Sequence, residues 1–382
     1  MKVMLIEDND SKQGAIVSYM KSKGILAEDI ICAKTMTDFA AQLHFDIGLF
    51  IIDFKLPSID SGAALQNGKA ILEAIVKAGK HDALLLAISA YPNDFPQLRA
   101  EYEAHGCILA DYSKTAAWKS TLDHLLIQLK KNIKLDFVVL CALQEERNPY
   151  VVLASGNRVI RGGLDCYDIS VGKKRGTIVL MPQSGLVNAA ITASLCIERF
   201  KPSIVGMSGI CGGFRDRAQL GQLVVSSMVY EYQSGKWAAD GFRHEPYQVS
   251  TDSMALTELR ALTNSDGLIS ELETGYRGSR PRIQQKPETG IFTSGSAVIA
   301  DRGYLSQIET IHRKVNALDM EIFAIQRAAA LSMQRPVCIC AKTVVDLCDE
   351  TKDDELHGYG SYISAKFILK AIENFVLPRP SS

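Results

Sequence analysis

Short apolar runs alternate with stretches of helical period through the first third of the chain. Residues 3–6, 30–33, 49–52, 84–88 and 107–109 read as strands, and 13–23 and 69–77 carry apolar positions at helical spacing. Alternation of this kind predicts a parallel sheet wrapped by helices. Residues 122–131 close that unit as an amphipathic helix, and Asn132-Ile133-Lys134 reads as a linker. A second β-rich start follows at 137–140, with further strands expected at 178–181, 204–207, 223–226 and 337–341. Helices are expected at 187–199, 320–333 and 362–375. Residues 264–288 are polar, with Gly, Pro and Arg, and predict an extended loop or insertion. The pattern divides the chain into two α/β domains, 1–131 and 132–382.

At 382 residues the chain is long enough for each domain to bury its own core. Hydrophobic residues make up 47% and charged residues 22%, an ordinary balance for a globular protein. Residues 1–130 carry 13 Lys/Arg against 16 Asp/Glu, which leaves 29 against 27 from the chain totals of 42 and 43. Neither part has the broad basic excess of a nucleic-acid binder. Nine scattered cysteines show no metal-ligand spacing and are expected as reduced thiols, mostly in the core. The opening Met1-Lys2-Val3-Met4-Leu5-Ile6 is too short for a signal-peptide core, and no apolar run approaches a membrane span. A cytoplasmic protein with no membrane partner is expected.

Acids and small polar residues fall at the strand ends of the first domain. Glu7 and Asp8 follow the first strand, Asp53 ends the third, Ser89 ends the fourth, and Lys114 follows the fifth. In a doubly wound sheet the carboxyl ends of the strands converge on one crevice. There Glu7, Asp8 and Asp53 would supply hard oxygen ligands for Mg2+. Asp53 would accept a phosphoryl group as an acyl phosphate, while the metal and Lys114 neutralise the group in transfer. Ser89 would bond the new phosphate. A strand-ending Asp alone is more often a cap, but the ordered set resembles the receiver domain of response regulators. That resemblance implies a flavodoxin-like, doubly wound parallel sheet and control by phosphorylation. Thr115 stands where the family usually has Pro, and residues 58–68 form a longer segment than usual.

In the second domain, Ala341-Lys342-Thr343-Val344-Val345-Asp346 is an apolar, β-branched run that ends in an acid. It reads as a buried strand delivering a carboxylate to a site. Four more patches stand out: Ala142-Leu143-Gln144-Glu145-Glu146 after a strand; Met207-Ser208-Gly209-Ile210-Cys211-Gly212-Gly213; Ser294-Gly295-Ser296-Ala297-Val298-Ile299; and Leu318-Asp319-Met320-Glu321. A glycine-rich turn after a strand lets backbone approach a ligand closely. Together the patches resemble the purine nucleoside phosphorylase and methylthioadenosine nucleosidase superfamily, over residues 136–376. The resemblance implies a phosphorylase-fold α/β domain with a mixed central sheet and no required cofactor.

It also implies roles. Asp346 would protonate a departing purine, and Glu146 would be the base that activates water. Ser296, Val298 and Ile299 would line the base, although nucleosidases usually carry an aromatic at the Val298 position. Gly209 would approach the ligand, Met320 would pack on the sugar, and Glu321 would accept ribose hydroxyl protons. The chemistry suits these types: N-glycoside cleavage passes through an oxocarbenium-like sugar, as in glycosidases. A protonated purine leaves neutral, so the acid must hold its proton near neutral pH, which partial burial favours.

A phosphorylase would need an anion pocket for phosphate in place of a glutamate base, so Glu146 favours water. Basic clusters that could meet a phosphate chain occur at Arg158 and Arg161, Lys173-Lys174-Arg175, Lys236, Arg243-His244, and Arg277, Arg280 and Arg282. The two-domain arrangement resembles the effector of Detocs-type antiphage systems. That family implies hydrolysis of ATP to adenine and ribose 5-triphosphate, with a sensor histidine kinase as phosphoryl donor. A homo-oligomer is implied by the phosphorylase fold alone. Two other readings stay open: a housekeeping purine nucleosidase or phosphorylase, and a nucleotide sensor without turnover. The residues themselves carry only purine N-glycoside chemistry under phosphoryl control.

Overall fold

Five parallel strands build the sheet of the first unit in a computed structural model of the chain, which describes residues 2–45, 47–58, 64–89, 95–131, 134–349 and 354–375. Across the sheet they run Ile30–Ala33, Lys2–Ile6, Ile47–Ile52, Leu84–Ser89 and Ile108–Asp111. Successive side chains of a strand point to opposite faces. Val3 and Leu5 therefore pack with Ile16, Met20, Trp118 and Leu122, from helices Asp10–Ser22 and Thr115–Lys131. Met4 and Ile6 pack the other way, with Phe39, Ile71, Leu72 and Tyr102. Both faces are covered, which is why these strands read as continuous apolar runs. The strand order 2-1-3-4-5 puts a topological switch point between the first and third strands, the place where doubly wound sheets bind ligands. Glu7 and Asp53 follow those two strands directly.

Contacts divide the chain at Met1–Ile133 and Lys134–Ser382. Residues 132 and 133 of the expected linker, and 59–63 of the expected long segment, lie outside the described residues. On either side of the latter, Lys55–Pro57 pairs with Ala64–Gln66 as a short hairpin.

The second unit carries a mixed ten-stranded sheet. Five of its strands close a ring: Leu223–Glu231, Glu288–Ser294, Val315–Asp319, Ile204–Gly213 and Val337–Asp346. The last is parallel to Ile204–Gly213 and antiparallel to Leu223–Glu231. From the ring the sheet extends through Phe137–Cys141 and Lys174–Leu180 to an edge made of Leu164–Val171 and Gly156–Arg161. The C-terminal helix His357–Asn374 buries Ile363, Phe367 and Ile368 against Val139, Ile204 and Ile339.

Three differences from expectation stand out. Residues 264–288 are not wholly a loop: Leu268–Glu273 is a short helix that buries Leu268 and Leu272 in the core. The hairpin Gly156–Arg161/Leu164–Val171 was not expected, because its charged positions hide the strand pattern; they form the cross-strand pairs Arg158–Asp165 and Arg161–Asp168. The final helix also begins at His357, five residues before its expected start at 362. No described helix is long and apolar enough to cross a membrane.

Candidate active site

A cavity of about 210 Å3 in the second unit is lined by Glu146, Met320, Glu321, Lys342 and Asp346 among others. Glu146 comes from the first turn of helix Gln144–Leu153, which follows strand Phe137–Cys141. Its carboxylate turns back to accept N–H bonds from Ala142 (2.8 Å), Leu143 (3.0 Å) and Ile210 (3.0 Å). The approach to Ile210 requires Gly209, since a Cβ there would overlap the Glu146 Oε1 atom. Glu146 is buried, and burial pushes its carboxyl up to about 6; Lys342 opposes the shift and Glu321 adds to it. A carboxylate poised there can serve as a general base near neutral pH. Its neighbour Glu145 is exposed and faces His357 Nδ1 at 3.0 Å.

Strand Val315–Asp319 and helix Ile322–Leu331 present a second carboxylate pair. Glu321 is buried between them, rather than solvated as a first-turn acid can be. It accepts the Gly185 N–H on Oε1 (3.0 Å), and Oε2 lies 2.8 Å from Lys342 Nζ. The same ammonium stands 3.0 Å from Asp319 Oδ2, which also accepts the Ile322 N–H at 2.9 Å. Burial disfavours the charge on Lys342, but Asp319, Glu321 and Glu146 outweigh it and hold the ammonium well above its ordinary range.

Asp346 is the last residue of strand Val337–Asp346 and is buried on the cavity surface. Its Oδ1 accepts the Cys348 N–H at 2.9 Å. Gly212, paired with it across the sheet, has no room for a side chain: a Cβ would lie 3.2 Å from Asp346 Oδ1 and overlap Cys348 Sγ. Ile299 is buried on the lining, whereas Val298 is 64% exposed and reaches it from the rim. The two remaining expected residues stand off the lining. Ser296 is exposed and donates its N–H to Gln233 Oε1 (2.7 Å), and Gly209 lies behind Glu146.

Several members of the basic clusters have other partners, while Arg280 and Arg282 line an adjoining cavity that shares Val345 and Asp346 with this one. Arg158 and Arg161 pair with Asp165 and Asp168, Arg243 with Asp240, and Arg280 with Glu273. Lys174 donates to the carbonyls of Ile372 and Glu373. Among the described residues, the basic groups on this cavity are Lys342 and His357.

In the first unit, carboxylate oxygens of Glu7, Asp8 and Asp53 lie within 4.8 Å of one another. Three hard oxygen donors at one strand-end crevice fit Mg2+, which takes carboxylates and keeps waters. Burial pushes Glu7 up to about 7; Lys12 opposes this and Asp53 adds to it. Burial also raises Asp53, again against Lys12. Asp53 Oδ1 accepts the Phe54 N–H at 2.8 Å. Ser89 is buried at the end of its strand. Lys114 is exposed next to Asp111, and the lysine in contact with Asp53 is Lys12.

Residues 136–376 match the phosphorylase superfamily. The chain belongs to that superfamily. It is 29% identical over 98% of its length to the whole of an uncharacterised protein of Sinorhizobium fredii, y4jS. A match at 24% identity covers 54% of the chain and 44% of the ATP nucleosidase Cap17 of Escherichia coli, so it spans less than half of that relative. Among solved structures, the 5′-methylthioadenosine/S-adenosylhomocysteine nucleosidase of Neisseria meningitidis, in complex with methylthio-immucillin-A, superposes with a TM-score of 0.52 at 20% identity, over 63% of this chain and all of that one.

Within this phosphorylase-superfamily unit, Asp319 and Lys342 were not singled out by sequence reasoning. The available signal was a lysine inside an otherwise apolar strand, together with two acids bracketing Met320. Removing one partner of a buried ion pair leaves uncompensated charge. Lys342→Met is expected to destabilise the unit by about 3–5 kcal/mol, read as the shift of its urea midpoint. A shift under about 1 kcal/mol, the range of exposed pairs, would show that the two acids find other compensation.

Proposed function

We propose that the second unit is a hydrolytic purine nucleosidase and that the first is a receiver which controls it. The observation that carries the proposal is one cavity holding Glu146, raised to about 6 within reach of ionisation at neutral pH, together with the strand-end acid Asp346. In this reading Asp346 protonates the departing base and Glu146 takes a proton from the attacking water. Glu321, oriented by Lys342 and the Gly185 amide, binds ribose hydroxyls and fixes the sugar. Met320 packs on the sugar, and Val298 and Ile299 contact the base. The kinship to nucleosidases supports hydrolysis.

ATP is the proposed substrate, yielding adenine and ribose 5-triphosphate; the similarity to the ATP nucleosidase Cap17 supports it. A specific observation favours a second reading, a nucleoside with an apolar 5′ side: no arginine is among the described lining residues. The test is incubation of the purified chain with ATP, adenosine or methylthioadenosine, followed by chromatography for free adenine. Preferential release from ATP is expected. Preferential release from methylthioadenosine would replace ATP by the second reading.

The receiver would be phosphorylated on Asp53 by a sensor histidine kinase, with Mg2+ at Glu7, Asp8 and Asp53 and with Ser89 and Lys114 as switch residues. Destroying adenine nucleotide is toxic, which suits an antiphage role and a resting state that is off. Moving a population from about 1:99 to mostly active takes only a few kcal/mol. A dianionic phosphoryl group can supply that through new charge-assisted bonds. A small phosphodonor with Mg2+ is expected to raise base release by the wild type and leave Asp53→Ala unchanged. Equal release from both, with and without donor, would remove control from the first unit. A homo-oligomer is proposed from the fold.

A further inference from the structure

The acid cluster of the first unit already contains a cation. Lys12 is 5% exposed, and its ammonium lies 2.6 Å from Glu7 Oε2, 3.1 Å from Asp53 Oδ2 and 2.8 Å from the Ile88 carbonyl oxygen. A lysine head has three donors and no acceptor. Here three acceptors meet them, two of which belong to the carboxylates read as metal ligands.

We propose that Lys12 is a tethered counter-ion standing in the divalent-cation position between Glu7 and Asp53, so that metal binding requires its displacement. The inference rests on reading Glu7, Asp8 and Asp53 as a metal-dependent phosphoacceptor site. Mg2+ binds oxygen at about 2.0–2.1 Å in near-octahedral geometry, and a dication held by these two carboxylates would meet the Lys12 ammonium, already in contact with both, as a like charge at close range. The backbone at Lys12 is pinned, because its N–H caps onto Asn9 Oδ1 (3.0 Å) at the start of helix Asp10–Ser22. Only the four-carbon stem can swing away. When it does, the Ile88 carbonyl loses its donor one residue before Ser89, so metal arrival reaches the switch hydroxyl's strand end. The ammonium also leaves the face of Tyr112, 5.5 Å from it, whose ring stacks on Trp118.

A competing cation lowers metal affinity, and removing it should raise it. That gain cannot arise from a damaged fold. The experiment is calorimetric titration of Mn2+ into the full chain, for the wild type, Lys12→Gln, Lys12→Met, Lys114→Gln and, as a site control, Asp53→Asn. Lys12→Gln and Lys12→Met are expected to bind Mn2+ about tenfold more tightly than wild type, since a like charge in contact with the ion is gone. Lys114→Gln should stay within about twofold, because its exposed head is screened. Unchanged or weaker binding by the Lys12 variants, with a wild-type site that Asp53→Asn abolishes, overturns the inference and leaves the metal-site reading standing. No Mn2+ uptake by any protein overturns both. On the wild type alone, saturating Mg2+ should shift Trp118 emission; an unchanged spectrum with Mg2+ bound also overturns the displacement.

Discussion

Asp346→Asn is expected to cut base release by about two to four orders of magnitude, the usual contribution of a general acid, while nucleotide still binds. Asn has the same shape, and its carbonyl can keep the bond that Asp346 Oδ1 accepts from the Cys348 N–H. Gly212 leaves no slack at this point of the sheet, so an isosteric change is the clean one. What the amide cannot do is hand a proton to a purine as the N-glycosidic bond stretches. The loss should fall on kcat, with nucleotide affinity by calorimetry near the wild-type value, because the proton matters in the transition state and not in binding. Near-normal turnover by a folded Asp346→Asn protein would remove Asp346 from the chemistry.

The first unit was legible because its strands are buried on both faces: 49–52 reads as one apolar run and is the end of Ile47–Ile52. Asp53 and Ser89 fall at strand ends where the pattern puts acids and hydroxyls at a crevice. Lys12 was not legible. It lies in the first turn of a helix, where a lysine is ordinarily solvated, and its burial depends on a carbonyl 76 residues away. The same limit explains Lys342, which needs Asp319 and Glu321 from another strand end to be tolerable in a core. Gly209 shows the reverse case. Its motif marks close approach, but the group that approaches is the Glu146 carboxylate. The edge hairpin Gly156–Arg161/Leu164–Val171 escaped because strands at a sheet edge accept Arg and Asp on either face where a central strand would need Val.

Glu146→Gln is expected to abolish hydrolysis to a similar degree, about two to four orders of magnitude, with no rescue by inorganic phosphate. Glu146 Oε2 accepts two N–H bonds, from Ala142 and Leu143, and Oε1 accepts a third from Ile210. A glutamine has only one carbonyl oxygen, so whichever way it turns, its NH2 faces a backbone donor. That buried mismatch costs about 1–3 kcal/mol, and thermal unfolding should show it. Activity should fall further than stability does, because the amide is also no base. The wild-type pH profile gives a second reading of the same group. Burial holds Glu146 up at about 6, and a base works only when deprotonated, so kcat/KM should decline as pH falls through that value. Above it the group is ionised and this limb flattens. Glutamine at 146 should erase the limb along with the rate. A wild type that releases base only when phosphate is supplied would make the enzyme a phosphorylase and give Glu146 another task.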